Sequence, residues 1–292
     1  MSTPTEARLP VAKTYKLYVG GAFPRSESGR SYPVTSTKGA LLAHAALASR
    51  KDARDAVTAA VAAREGRAGA TGYHRGQVLY RVAEMMQARH DQFADDVVAA
   101  EGVGRRRAGT LVDAAIDRWV WYAGWTDKLS SVLGSVNSVA GPFVNFSTPE
   151  PTGVVAVLAP QESSLLGLVD VLAPVLASGC TAVVVASMLR PLPAIGLAEV
   201  LATSDVPGGV TNLLTGSGAE LGPWLAAHED VAAIDLVGAP QESAVALEEA
   251  AAATVQRVLP RPPTEPDPSA TPSIARLRTY CEIKTVWHPV GT

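Results

Sequence analysis

Apolar positions follow two different rhythms along the chain. In the first half they recur at helical spacing. Ser49–Arg64 carries Val57, Val61 and Ala62 on one stripe behind Ser49, a suitable N-cap, and is read as a helix. His74–Glu101 carries Val78, Leu79, Val82, Met85 and Met86, then Phe93, Val97 and Val98, which predicts one or two long helices. Gly102–Arg107 interrupts the pattern, and Leu111–Leu129 resumes it. Ahead of these helices, Lys16–Phe23 (KLYVGGAF) reads as a strand, a Gly-Gly turn and a return strand. The first ten residues are polar and Pro-rich, and residues 1–14 are expected to be disordered.

From Gly153 the rhythm changes to short, unbroken apolar runs alternating with helical stretches. Gly153–Pro160, Thr181–Ser187, Gly209–Gly216 and Val231–Gly238 read as strands. Leu165–Ser178 (ending at Gly179), Pro193–Ala202, Glu220–His228 and Gln241–Ala253 read as helices. Continuous apolar strands joined by helices mean a parallel sheet covered on both faces, so the fold class is α/β with a doubly wound parallel sheet and an N-terminal helical layer. Residues 15–137 and 153–258 are assigned to this domain. Between them, residues 138–152 are short and strand-like. After Val258 the order is lost: Leu259–Ser273 holds six prolines, residues 259–276 read as an extended linker, and Tyr280–Val286 alternates as one closing strand within 277–290.

Composition narrows the function classes. Of 292 residues, 47% are hydrophobic and 18% charged, enough apolar material for a sizeable core. A net charge of -3 argues against a nucleic-acid scaffold or a membrane-surface protein. The two cysteines, Cys180 and Cys281, exclude a disulfide framework and a four-cysteine zinc site. No charged start followed by an apolar run marks a signal peptide, and no apolar stretch reaches the roughly 20 residues of a membrane span. A cytoplasmic location is the expectation.

Candidate chemistry is sparse. Trp119, Trp121, Tyr122 and Trp125 crowd one helix, and are read as wedging it onto its neighbours rather than as a ligand box. His44, His74, His90, His228 and His288 show no metal-ligand spacing, so no metal is expected. Arg105–Arg107 reads as a solvated basic loop. There is no phosphate loop, nucleophile elbow or Cys-x-x-Cys.

Several blocks nevertheless occur together in a familiar order: KLYVGGAF; WYAGWTDKL (Trp121–Leu129); PTGVVAVLAP (Pro151–Pro160); LAPVLASGCTAVVV (Leu172–Val185); the run Asp205–Gly238; and the tail YCEIKTVW (Tyr280–Trp287). In these the chain resembles the aldehyde dehydrogenase superfamily, from about Leu17 to Val258 and again from about Leu277 to Pro289. The resemblance implies a Rossmann-like fold, NAD(P), and oxidation of an aldehyde through a cysteine thiohemiacetal.

The departures from that pattern are as informative as the matches. Where the family has an aromatic and then an oxyanion-stabilising asparagine after the first strand, this chain has Gln161 and Glu162. A carboxylate there would repel a developing oxyanion, and Glu162 is read as a solvated loop acid. The family's ribose-contacting Lys-Pro-Ser-Glu is replaced by Val185, Ala186, Ser187 and Met188. Arg190 nearby is read as a surface charge rather than a phosphate contact. In the nucleotide turn, serine has become Ala239, Pro240 removes an N–H, and Glu242 adds negative charge where a phosphate would meet a helix N-terminus. Pro160, Ser187, Gly216 and Gly238 remain as a degenerate cofactor site; no cofactor is expected, NAD or NADP if any.

The general-base glutamate is also absent, since Leu259, Pro260 and Arg261 follow Val258 where the family continues into its catalytic domain. The missing piece is on the order of 100–200 residues. Cys180 reads as a buried small hydrophobe and Cys281 as part of the tail strand; neither is expected to be catalytic. The resemblance makes the hairpin 138–152 and the strand 277–290 a small β oligomerisation element. Fifteen linker residues reach roughly 45 Å if polyproline-like, enough to bring the tail back to the hairpin.

The leading expectation is therefore a non-catalytic subunit that associates with a full-length aldehyde dehydrogenase through hairpin 138–152 and strand 277–290, and stabilises or regulates it. One alternative is an NAD(P)-dependent component that retains the cofactor and uses a partner's cysteine. The other is a structural protein that self-associates through the helix Leu111–Leu129.

Overall fold

In the computed structural model, which describes residues 11–291, local sequence signals set most boundaries. The N-terminal sheet has β1 (Thr14–Tyr15), β2 (Ser31–Thr35) and β3 (Leu41–Ala46) in the order β1-β3-β2. Of the stretch expected to be disordered, residues 1–10 lie outside the described residues, and Thr14 already belongs to β1. Between β1 and β2, Val19 and Ala22 exchange backbone hydrogen bonds across Gly20 and Gly21, whose φ of +62° and +82° match the tight hairpin turn that glycine permits.

Five helices follow: α1 (Arg50–Gly69), α2 (Gly72–Ala88), α3 (His90–Glu101), α4 (Arg105–Ala123) and the short α5 (Leu129–Leu133). Ser49 caps α1 through a reciprocal box with Asp52, which also accepts from Glu27 N and Ser26 Oγ. Arg89 divides the long apolar pattern into α2 and α3. The break after α3 is shorter than expected: Arg105–Arg107 form the first turn of α4 rather than a loop, because Arg105 pairs back to Asp91 and Asp95 on α3. Trp119 and Tyr122 are fully buried and Trp121 and Trp125 pack against the same core, so the aromatic cluster is a wedge.

The hairpin of β4 (Ser135–Asn137) and β5 (Phe143–Pro151) starts three residues ahead of the expected 138–152, because Ser135–Asn137 pair with Ser147–Asn145, and it leads into the main sheet. There follow β6 (Val154–Leu158), α6 (Leu166–Ser178), β7 (Thr181–Val185), α7 (Leu192–Leu201), β8 (Thr211–Leu214), α8 (Gly218–Ala226) and β9 (Val231–Asp235). A 3-10 turn at Gln241–Ser243 opens α9 (Ala244–Ala253), and β10 (Arg257–Leu259), α10 (Ala275–Thr279) and β11 (Cys281–Pro289) complete the chain. The sheet order is β10-β9-β6-β7-β8, all parallel. The fifth strand, β10, lies where the apolar pattern of the sequence ends; its three half-buried residues are too few to show a period.

Alternation along β6 divides the core. Val154, Ala156 and Leu158 face α1, α8 and α9, while Val155 and Val157 face α2, α4 and α6. The N-terminal helices are therefore not one layer: α1 covers one face of the sheet and α2–α4 the other. All five β6 residues are within 1% of full burial, each larger one contributing about 1.5–3 kcal/mol. Among the described residues, no helix is long and apolar enough to cross a membrane.

The tail returns to the hairpin. β11 pairs antiparallel with β5 along its whole length, from Cys281 opposite Pro151 to Pro289 opposite Phe143, giving a third sheet ordered β11-β5-β4. Its entry is set by Asp235, 1% exposed at the end of β9. The Asp235 carboxylate accepts from Arg276 Nη1, from Tyr280 Oη at 2.9 Å and from Val237 N at 3.1 Å. Burial, and then the Asp235 charge, push the Tyr280 phenol well above its ordinary value, so it remains a donor.

Tyr280→Phe removes one of these hydrogen bonds to a buried carboxylate and is expected to lower stability by about 1–3 kcal/mol in a urea titration. A second test concerns pH. Asp96 on α3 is pushed up to about 6, by burial first and then by Asp95 and Glu199. The folded state therefore holds this proton more tightly than the unfolded one, and stability falls as pH rises from about 4 to 6. Asp96→Asn is expected to be more stable than the parent by about 1 kcal/mol at pH 7–8, a gain that shrinks towards pH 4.

Candidate functional site

The chain builds the sheet outward from β6 in one direction through β7 and β8, then crosses to the other side for β9 and β10. The order reverses between β6 and β9, and ligands of open α/β sheets bind beyond the strand ends at such a point. The segment leaving β6 is Ala159, Pro160, Gln161 and Glu162.

Three of the four positions singled out from sequence converge there. Pro160 is buried directly after β6. Ser187 Oγ, after β7, donates to Gln161 O at 3.0 Å and accepts from Arg190 N at 3.2 Å. Gly238, after β9, donates its N–H to Leu158 O at 2.9 Å, and a Cβ there would lie 1.8 Å from Ala159 O. Gly216 is not part of this group. It adopts φ +144° against Leu47 and Ala48, at the entry to α1.

The polar groups at this point bind one another. Gln161 Nε2 donates to Ala159 O at 2.7 Å and its Oε1 accepts from Met188 N at 3.2 Å, tying the ends of β6 and β7 together. Glu162 is exposed, as expected for a loop acid, and pairs with Arg190 Nη2 at 2.7 Å. Arg190 is correspondingly not a free surface charge, since its guanidinium also donates to Glu162 O. Beyond β9, Pro240 precedes a 3-10 turn rather than an α-helical N-terminus.

The Pro-rich segment is not a free linker either. Gln161 N donates to Glu265 Oε1 at 2.6 Å and Glu162 N to Glu265 Oε2 at 3.2 Å. Arg261 Nε donates to Ala239 O at 2.7 Å and its Nη1 to Gln241 Oε1. Further along, Arg118 on α4, itself paired with Asp170 on α6, donates to Pro268 O at 2.7 Å and Ala270 O at 2.9 Å. With the Pro-rich segment seated against them, these residues do not fit a dinucleotide. The backbone amides after β6 are taken by Glu265, the Ser187 hydroxyl is used within the loops, and Met188 and the 70% exposed Leu189 offer apolar surface beside it.

Nucleophilic chemistry has no support in the cysteines. Cys180 is 1% exposed with Sγ donating to Tyr280 O at 3.4 Å, and burial raises its thiol. Cys281 is 6% exposed and pushed up to about 12, by burial first and then by Cys180. Both stay protonated and neither has a base oriented on it. Among the described residues, no group of three His, Cys, Asp or Glu could hold a metal. Two clefts of about 790 and 870 Å³ lie elsewhere, one beside α2 and α4 and one beneath β11.

The sequence profile of the aldehyde dehydrogenase family matches residues 24–260. The chain belongs to the aldehyde dehydrogenase family. Among its relatives, the mouse cytosolic 10-formyltetrahydrofolate dehydrogenase is 30% identical, over 86% of this chain and 28% of that protein. The alpha-ketoglutarate semialdehyde dehydrogenase of Haloferax volcanii is 31% identical, over 80% of this chain and 49% of that protein. Among solved structures, the NAD+ complex of an aldehyde dehydrogenase from Bacillus cereus superposes with a TM-score of 0.80 at 24% identity, over 84% of this chain and 50% of that one. HpcC from Thermus thermophilus gives 0.80 at 27% identity, over 84% and 47%. The chain thus spans half or less of the family members it matches, and passes from β10 to β11 within residues 260–280.

Sequence reading missed Arg261 and Glu265. They stand four positions apart inside a Pro-rich run, where charges read as solvated; nothing local marks their distant partners. The close approach at Gly238 is testable. Gly238→Ala is expected to lower stability by about 2–3 kcal/mol in denaturant titration, because the new Cβ meets backbone that cannot move aside. Gly218→Ala in the first turn of α8, where a Cβ meets nothing within 4 Å, serves as the control and is expected to be neutral or slightly stabilising.

Proposed function

We propose that this chain is a non-catalytic member of the aldehyde dehydrogenase family that associates with a full-length aldehyde dehydrogenase subunit, through hairpin 138–152 and strand 277–290, and stabilises or regulates it. The observation that carries this reading is the sheet β11-β5-β4. It stands out from the core with β11 at its edge and a set of exposed apolar side chains: Val136 (84% exposed), Phe143, Val144, Phe146, Ile283 and Trp287 (58% exposed).

An edge strand of nine residues is a template for another strand, and large apolar groups beside it favour a protein partner over water. A full-length subunit offers the catalytic-domain surface that residues 260–280 of this chain do not build. The crevice supports the non-catalytic half of the reading. Its amides and hydroxyl are engaged internally, both thiols are buried and protonated, and no NAD or NADP is expected to bind the chain as it stands.

The test is co-expression with a tagged full-length aldehyde dehydrogenase from the same genome. The two chains are expected to co-purify in a fixed ratio. Val136→Asp and Trp287→Ala, both at exposed positions, are expected to weaken recovery about tenfold or more, each about 1.4 kcal/mol of binding, with unchanged circular dichroism. A stable monodisperse monomer that ignores every such partner contradicts the reading, and a homo-oligomer in light scattering favours self-association instead.

A further inference from the structure

We propose that residues 260–274 form an autoinhibitory strap whose Glu265 carboxylate, held by the backbone amides of Gln161 and Glu162, fills the switch-point crevice and keeps a dinucleotide out. This deepens the reading above, on whose assignment of an unused cofactor crevice it rests.

The strap is fastened on both sides of the reversal. On the β9 side Arg261 holds Ala239 O and Gln241 Oε1, and on the β6 side both oxygens of Glu265 are held by successive amides. Two adjacent N–H groups converging on one carboxylate form an anion-binding concavity of the kind that otherwise receives a phosphate or a substrate acid. Here the anion is the chain's own. The occupant is also stiff: Pro260, Pro262, Pro263, Pro266 and Pro268 limit its conformations, so little entropy is lost on seating it.

The same segment is built to let go. Its residues are exposed or half-buried, and between Pro260 and Ser273 it is held by polar contacts, with Ile274 at its far end the residue that packs on the core. Its far end is anchored independently, by Arg118 on Pro268 O and Ala270 O and by Arg276 on Asp235. Release at Arg261 and Glu265 therefore opens the crevice while α10 and β11 stay docked. A crevice degraded only by residue replacement would not need an occupant held at 2.6 Å.

The experiment uses the full chain and the double variant Arg261→Ala/Glu265→Ala, with Asp267→Ala as control, because Asp267 bonds only within the strap, to Ser269 and Ala270. Hydrogen exchange by mass spectrometry reads the peptide containing Gln161 and Glu162, and calorimetric titration with NAD+ reads the crevice. The double variant is expected to exchange at those amides about tenfold faster than the parent and to gain saturable NAD+ binding at least about tenfold tighter. The parent and the control are expected to show neither. Unchanged exchange in the double variant overturns the proposal. So does faster exchange with no gain in NAD+ affinity, which assigns the exclusion to the replaced contacts alone, and so does a parent chain that binds NAD+ as tightly as the variant. Association with a full-length subunit is read separately by co-purification, so failure of the strap leaves that reading standing.

Discussion

Asp235 ends β9 as a buried carboxylate, and a buried charge must be met by donors or its desolvation cost stays uncompensated. The donors are Arg276 and Tyr280, from a segment 41 and 45 residues further on that runs directly into β11. This one cluster dictates where the end of the chain lands. Arg257, on β10 beside it, extends the hold by donating to Thr279 O at 2.6 Å and Cys281 O at 2.8 Å. With Cys281 placed, β11 has a single register on β5, and the sheet β11-β5-β4 follows. The Pro-rich run between β10 and α10 then has both ends defined, and its course across the strand ends is the path that joins them.

That path unites two features that would otherwise be unrelated. The crevice where the sheet reverses order lies under the strap, and the sheet with exposed apolar side chains is fastened at the strap's far end. Polar groups that could meet a ligand at the strand ends are instead paired inside the chain: Ser187 with Gln161, Arg190 with Glu162, and two amides with Glu265. Hydrogen bonds of this kind contribute only about 1 kcal/mol each in net terms, yet leaving such groups unpaired costs more. A crevice closed in this way is stable without a ligand, which accords with the proposed role.

The fold was largely legible in the sequence because its strands are buried on both faces. Val154–Leu158 and Thr181–Val185 are continuous apolar runs, and Ser49 and Gly179 mark helix ends by their own chemistry. What could not be read depended on distant partners. β10 is held by pairing with β9, not by a pattern of its own. Arg105 extends α4 because Asp91 and Asp95 receive it. The site was half legible: Pro160, Ser187 and Gly238 do meet at the end of β6, whereas Gly216 supports the entry to α1. Glu265 left no local trace, since a carboxylate among prolines carries no sign of the amides that will hold it.

The central proposal is that this family member acts by presenting the sheet β11-β5-β4 to a full-length aldehyde dehydrogenase. The most direct measurement is hydrogen exchange across the whole chain, alone and mixed with such a partner from the same genome. The account predicts added protection concentrated in Phe143–Pro151 and Cys281–Pro289, with the strand ends around Gln161 unchanged. No added protection in those two strands, or protection centred instead on α4, would contradict it.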